Sequence, residues 1–260
     1  MAAFGMEGCE EMLGAEFPVG RSATEEKVRG AVRRTLVGLV PFCLDFDDFN
    51  SQHSVSSMRA VIDAYLAVHG PSLSEQQRKA IAWTSLSIED MIMVGSQHVD
   101  AKRYKLAGTM LSGCRLTTFI NTMLNKIYIS TSHPHADNSP SLHNGDDVNI
   151  GVTSIREATK IMAGLSARGA RLQPKKCFIG GIMEFLRIDH RRSERGQYLA
   201  RSIATYVHGK CESIVPNDLP AVVEALYSRK SEMEARGADK QHPNTPNTCL
   251  LYTSPSPRDS

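Results

Sequence analysis

Apolar positions recur every three or four residues in some stretches of this chain and run nearly unbroken in others, which predicts helices alternating with strands. From Thr24, the spacing of Val28, Ala31, Val32 and Leu36 predicts an amphipathic helix. Thr24 is its N-cap, Glu25 and Glu26 sit in the first turn where the helix dipole favours acids, and Lys27, Arg29, Arg33 and Arg34 face solvent. Val37 to Leu44 is an apolar run interrupted by Gly38 and Pro41, and it predicts a buried strand ending at Asp45. Met58, Val61, Ile62, Tyr65 and Leu66 place a helix over Ser54 to Val68, expected to pack on that strand and stopped by Gly70-Pro71. Ser74 followed by Gln77 is a capping box for a helix through Ile81, Trp83 and Leu86.

Apolar Ile88 to Val94, followed by Lys102, Arg103 and Lys105, fits a short strand pair within residues 88–111. Leu116, Phe119, Ile120, Met123, Leu124, Ile127 and Tyr128 form a long helical stripe. A polar loop over 131–141 carries His133 and His135, which, with His143, are expected to be solvated rather than metal-bound. His143-Asn144-Gly145-Asp146-Asp147-Val148 reads as the tip of a hairpin turning at Gly145-Asp146. Ile155 to Leu165 is helical and ends at Arg168-Gly169, and Lys176 to Leu186 reads as a strand pair around Gly180-Gly181. Residues 1–20 are Gly-rich loop, and Cys249 to Ser260 is aperiodic, either a translated sequencing-adapter tail or a disordered native one. No internal repeat is present.

Composition narrows the class. With 260 residues and 41% hydrophobic content, the chain can build a core, and a net charge of +2 does not announce nucleic acid. The charge is uneven, however: residues 168–210 carry Arg168, Arg171, Lys175, Lys176, Arg187, Arg191, Arg192, Arg195, Arg201 and Lys210 against Glu184, Asp189 and Glu194. Such a run suits either a phosphate backbone or a solvated surface. Six cysteines without paired spacing read as reduced thiols. No apolar run approaches the roughly eighteen residues of a membrane span, and the acidic N-terminus lacks a signal-peptide pattern, so a soluble intracellular protein without membrane partners is expected.

Three stretches carry chemistry. A Gly-Asp pair is ordinarily a surface turn. Asp45, just past the end of a buried strand, can meet Asp146 on a hairpin from a neighbouring strand, and together the two carboxylates can hold a hard cation, Mg²⁺ or Mn²⁺. Two such ions about 3.5 to 4 Å apart clamp an in-line phosphoryl transfer. The third stretch, Ser112-Gly113 through Asn125, puts Thr117, Asn121 and Asn125 on one helix face. Neutral donors and acceptors there suit a sugar hydroxyl, where an ordinary surface helix would show Glu, Lys or Arg.

In order along the chain, Asp45 with Asn50, Ser112-Gly113 with Thr117 and Asn121, and Gly145-Asp146-Asp147 resemble motifs A, B and C of viral RNA-dependent RNA polymerases. The wording Asp-Phe-Asp-Asp-Phe-Asn-Ser-Gln-His-Ser from Asp45, with Thr-Thr-Phe-Ile-Asn from Thr117, is most similar to totiviruses, double-stranded RNA viruses of fungi and protists. Gly169 to Lys176 resembles motif D, and Glu184 to Arg187 resembles motif E. The resemblance spans roughly residues 1–190. It implies an α+β palm, an antiparallel sheet with helices on one face, over residues 37–190 with a fingers insertion, a fingers-side segment at 1–36, the start of a thumb at 191–248 and the tail at 249–260. By the same resemblance Asp45 and Asp146 are metal ligands and Asp147 supports them, while Asn50, Ser112, Gly113, Thr117 and Asn121 bind the nucleotide and sense its ribose. Lys176, or alternatively Lys175, would protonate the leaving pyrophosphate. Implied partners are an RNA template and product, nucleoside triphosphates and a viral capsid protein, in the virion interior or host cytoplasm.

Two features depart from the family. Asn50 stands where many RNA polymerases have Asp, and an amide acceptor is uncharged and weaker. No basic motif F precedes Asp45, and the thumb looks truncated, so the chain reads as a partial polymerase. A reverse transcriptase is the nearest rival, against which Asn50 and the motif B pattern argue. A catalytically inactive, truncated or endogenised RNA-binding relic is the rival from another class.

Overall fold

The structure, a computed structural model, describes residues 6, 13, 14, 16–19, 24–94, 103–111, 114–133, 139–181, 183–186, 188–190, 203, 207 and 219–235. Two compact units result, Met1–Leu186 and Arg187–Ser260. At the heart of the first is a four-stranded antiparallel sheet in the order β4 (Ser141–Asn144), β5 (Asp147–Val152), β1 (Val40–Leu44), β6 (Phe178–Ile179). The register between β1 and β5 pairs Leu44 with Val148 and Phe42 with Ile150. Because side chains alternate along a strand, Phe42, Leu44, Val148, Ile150 and Val152 share one face and are buried together.

That face is covered by α5 (Ile155–Ala167), through Ala158, Ile161 and Leu165, and by Ile129 of α4 (Thr117–Ser132). The opposite face meets Val28, Ala31 and Val32 of α1 (Glu25–Thr35), which gather Leu142 of β4 with Met183 and Phe185. Helices therefore lie on the expected face, and α1 adds a cover on the other. Thr24 caps α1 by accepting from the Lys27 amide at 3.4 Å. A second core lies among α2 (Val55–His69), α3 (Glu75–Ser87) and α4, where Met58, Ile62 and Ile81 pack with Phe119, Ile120 and Leu124. The Ser74/Gln77 capping box of α3 is present in both directions.

Several expectations are corrected. Helix α2 buries its apolar face against α3 and α4 rather than on β1, since the sheet face is already filled by α5. The strand begins at Val40 and not Val37, because Leu36 to Leu39 closes a turn and leaves Val37 78% exposed. Among the described residues no hairpin forms around Gly180-Gly181: Phe178 and Ile179 join the edge of β1, while β7 (Glu184–Phe185) is a separate element. The strand pair in 88–111 is present as β2 (Ile92–Val94) and β3 (Arg103–Lys105), exposed along its length. His143 is not solvated but fully buried in β4.

The second unit contains β8 (Ile188–Asp189) and α6 (Leu219–Ala235), on which Lys230 and Glu234 pair at 3.9 Å. Most of the expected thumb segment, the basic residues from Arg187 to Lys210 and the tail 249–260 lie outside the described residues. Among the described residues no helix is long and apolar enough to cross a membrane, and Cys43, Cys114 and Cys177 carry no disulfide.

Candidate active site

Asp45 follows directly on β1, and Asp146 sits in the turn that links β4 to β5, so pairing of β1 with β5 brings the two acids to the same end of the sheet. The turn depends on Gly145, whose φ of 61° is left-handed. Helix α4 clamps it from above. The Gly145 amide donates to Thr122 Oγ1 at 2.7 Å, and Asn125 Nδ2 donates to the carbonyls of Gly145 at 3.3 Å and Asp146 at 3.2 Å. His143 is held beside Asn125 at 3.4 Å and Ser141 at 2.8 Å.

The cleft at this end of the sheet encloses about 430 Å³ and is lined by Asp45, Asp48, Asn50, Thr117, Thr118, Asn121, Asn144 to Asp147 and Lys176. Of the residues picked out by sequence, it gathers Asp45, Asp146, Asp147, Lys176, Asn50, Thr117 and Asn121. Lys176 Nζ lies 3.6 Å from Asp45 Oδ1, whereas Lys175 does not line the cleft. Ser112 and Gly113 lie outside the described residues. Asn125 is a correction: it is wholly buried under the hairpin, so it holds the turn instead of reading a sugar.

Electrostatically the site is crowded with negative charge. Burial pushes the Asp147 carboxyl up to about 6, helped by the neighbouring Asp146, Glu184 and Asp45, against a hydrogen bond from the Leu186 backbone. Lys176 reaches Asp45 from an exposed position at the rim. Among the described residues no three imidazole, thiolate or carboxylate groups converge into a ready-made metal cage.

The loop after Asp45 is fixed on two sides. Asp48 adopts a left-handed φ of 44°, and Phe49 to Gln52 then forms a short 3-10 turn. Gln52 ties this turn to the segment before Lys176: its Nε2 donates to the carbonyls of Asp47 at 2.7 Å and Arg171 at 2.9 Å, and its Oε1 accepts from the Arg171 amide at 2.8 Å. The Gln173 amide adds a bond to the Asp45 carbonyl at 2.9 Å. Asn121 Nδ2 donates to Asn50 Oδ1 at 2.8 Å, joining the helix to the turn. Sequence reasoning assigned no individual role to Gln52, Thr122 or Glu184. The i, i+4 placement of Thr118 and Thr122 was a usable signal, but the partners of Gln52 and Glu184 are set only by the tertiary fold.

An α+β sheet with acids at facing strand ends, a polar helix above and a basic residue at the rim defines the class as a polymerase fold. The chain superposes on the RNA-dependent RNA polymerase of a human picorbirnavirus with a TM-score of 0.60 at 15% identity, covering 89% of this chain and 46% of that one. An insertion-loop deletion mutant of that polymerase gives 0.63, also at 15% identity, over 90% and 46%. The sequence matches the viral RNA-directed RNA-polymerase family over residues 13–211, and the chain belongs to that family. It is 42% identical over 240 residues to a probable RNA-directed RNA polymerase of Saccharomyces cerevisiae virus L-BC and 40% identical to that of Saccharomyces cerevisiae virus L-A. These matches cover 92% and 90% of this chain, which spans 16% of the length of each relative. A probable RNA-directed RNA polymerase of Leishmania RNA virus 1 - 1 is 34% identical over 68% of the chain and 19% of its own length.

Proposed function

We propose that the cleft carries the nucleotidyl-transfer site of a template-directed RNA polymerase. The observation that supports this best is the convergence of Asp45, Asp146 and Asp147 with Asn50, Asn121 and Lys176 around one cleft, although they come from widely separated segments. In the reaction the 3′ hydroxyl of the growing RNA loses its proton to solvent, its oxygen bonds to the α-phosphorus of a nucleoside triphosphate, the α–β phosphoanhydride bond breaks, and pyrophosphate leaves. RNA template, product and nucleoside triphosphates are the partners on this reading.

The donor set fits a divalent cation. Its groups are hard carboxylate oxygens, and the Asp147 carboxyl, raised first by burial, is raised further by Asp146, Glu184 and Asp45 close by. Asp45 and Asp146 would hold Mg²⁺ or Mn²⁺, and two carboxylates with the rest of the shell drawn from substrate phosphates is how Mg²⁺ is usually bound. When bound, such ions supply Lewis acidity toward the attacking and leaving oxygens, in the two-ion form of this chemistry. Asp147, which shares the hairpin, supports the site through its charge. Lys176 would give a proton from Nζ to the departing pyrophosphate, a role supported by its contact with Asp45 at the cleft. Asn50 and Asn121 present amide groups to the sugar of the incoming nucleotide.

Asp146 is exposed in the turn and makes no packing contribution, so Asp146→Ala should leave the fold intact. In a Mg²⁺-dependent primer-extension assay of a polymerase chain carrying these residues, Asp146→Ala is expected to reduce incorporation by at least about a thousandfold. Activity within tenfold of the unaltered protein would overturn the assignment. The same assay on the 260-residue chain alone separates an active polymerase segment from an inactive RNA-binding one.

A further inference from the structure

We propose that His53 sets the hydrogen-bonding polarity of the Asn121–Asn50 pair and thereby determines how the cleft discriminates a ribose from a 2′-deoxyribose. The inference rests on the polymerase reading above and assigns a positioning residue to it.

His53 ends the turn after Asp45 and is only 2% exposed, packed edge-on to Phe49 with ring centroids 4.5 Å apart. Its Nε2 lies 3.0 Å from Asn121 Oδ1, and its Nδ1 lies 3.2 Å from the Tyr128 hydroxyl. An amide oxygen can only accept, so Nε2 carries the proton. Burial holds the imidazole below its ordinary pKa, which keeps the ring neutral. Nδ1 is then a bare acceptor, to which the Tyr128 hydroxyl donates a hydrogen bond.

The direction propagates. With Asn121 Oδ1 occupied by His53, Asn121 turns Nδ2 toward Asn50 and donates to its Oδ1. Asn50 Oδ1 is thereby engaged as well, and the Asn50 amide N–H groups are the donors this residue offers to the cleft that it lines. The Asn50 main chain cannot easily shift to compensate. Its carbonyl accepts from the Met110 amide at 2.9 Å and Thr109 Oγ1 at 3.3 Å, while the Thr109 amide donates to the His53 carbonyl at 2.9 Å. Thr109 reaches these partners in a left-handed conformation, φ 81°, that a β-branched residue rarely adopts. The opposite tautomer would reverse both amides together and present a carbonyl to the cleft. As built, the site offers donors, so it engages a 2′-hydroxyl through the oxygen lone pairs, and a 2′-deoxy sugar leaves those donors without that partner.

The test is single-nucleotide incorporation with a ribonucleoside triphosphate and its 2′-deoxy counterpart, in a polymerase chain carrying these residues, for His53→Phe, His53→Gln and Asn121→Ala. Phenylalanine keeps the packing on Phe49 and removes both ring nitrogens. Glutamine returns an amide N–H close to the Nε2 position. His53→Phe is expected to lower the ribo-to-deoxy ratio of kcat/KM about tenfold, and His53→Gln to recover most of it. If Asn121→Ala lowers the ratio while His53→Phe leaves it within twofold, the His53 role is overturned and the polymerase reading stands. If neither variant moves the ratio, sugar reading by this pair falls, and the His53 role with it. Equal damage in His53→Phe and His53→Gln means that returning the N–H restores nothing and also overturns the inference. Nitrogen-15 shifts of the His53 ring in the unaltered protein provide a readout independent of activity: Nε2 protonated and Nδ1 bare is expected, and the reversed tautomer overturns the proposal.

Discussion

At Asn121 and Asn125, one helical turn apart, the same side chain serves two different ends. Asn121 faces the cleft and is held between His53 and Asn50, whereas Asn125 satisfies the carbonyls of Gly145 and Asp146 beneath the hairpin. Alanine at the two positions should therefore separate cleanly. Asn125→Ala leaves the buried Gly145 carbonyl and the part-buried Asp146 carbonyl without their donor and is expected to lower stability by about 1–3 kcal/mol, read from urea unfolding. Asn121→Ala or Asn50→Ala is expected to change sugar preference, and unchanged preference in both would refute their proposed role. Helical periodicity made the shared face of Thr117, Asn121 and Asn125 legible in the sequence, but not which end of that face lies over the hairpin. His53 was illegible as a partner because the amide it binds lies on another element, and only the tertiary fold brings them together.

Among the elements, what could be read locally was read well. Caps at Thr24 and Ser74, the stripe of α4 and the turn at Gly145 each follow from a few adjacent residues. Choices between partners were not local. Phe178 and Ile179 find the free edge of β1 instead of the following strand, and α2 finds α3 and α4 instead of β1, because the sheet face is taken by α5. The α4–α5 contact also rests on a residue that no periodicity highlights. A Cβ on Gly164 would come within 1.9 Å of the Ser132 carbonyl oxygen, a backbone atom at the end of α4. Gly164→Ala would favour α5 as an isolated helix, yet the expected result is a loss of about 1–3 kcal/mol, because one helix must retreat from the other. A melting temperature equal to or above that of the unaltered chain would show that the two helices do not pack this closely.

For the molecule as a whole, the consequence of building a charged cleft over a buried polar layer is a pH dependence with two opposing parts. His143, buried between Phe17, Ser141 and Asn125 and repelled by Lys126, has its pKa pushed down to about 3. The unfolded chain takes up this proton below about 6.5 and the folded chain does not until about 3, so the contribution of His143 is full above 6.5 and is lost as pH falls between them. The loss is about 1.4 kcal/mol per pH unit across that window. Asp147 acts in the other direction: its folded pKa of about 6 exceeds the ordinary 3.8, so acidification from 6 to 4 favours the folded chain. In metal-free buffer the two should nearly cancel between pH 6 and 4, leaving a fall from His143 below 4. His143→Gln should remove that fall and uncover a rise in stability as Asp147 takes its proton, whereas Asp147→Asn should expose a steady decline that begins near pH 6.5. Urea midpoints measured across pH 7 to 3.5 read both, and parallel profiles for the unaltered chain and His143→Gln would mean that the buried imidazole is not held neutral by the fold.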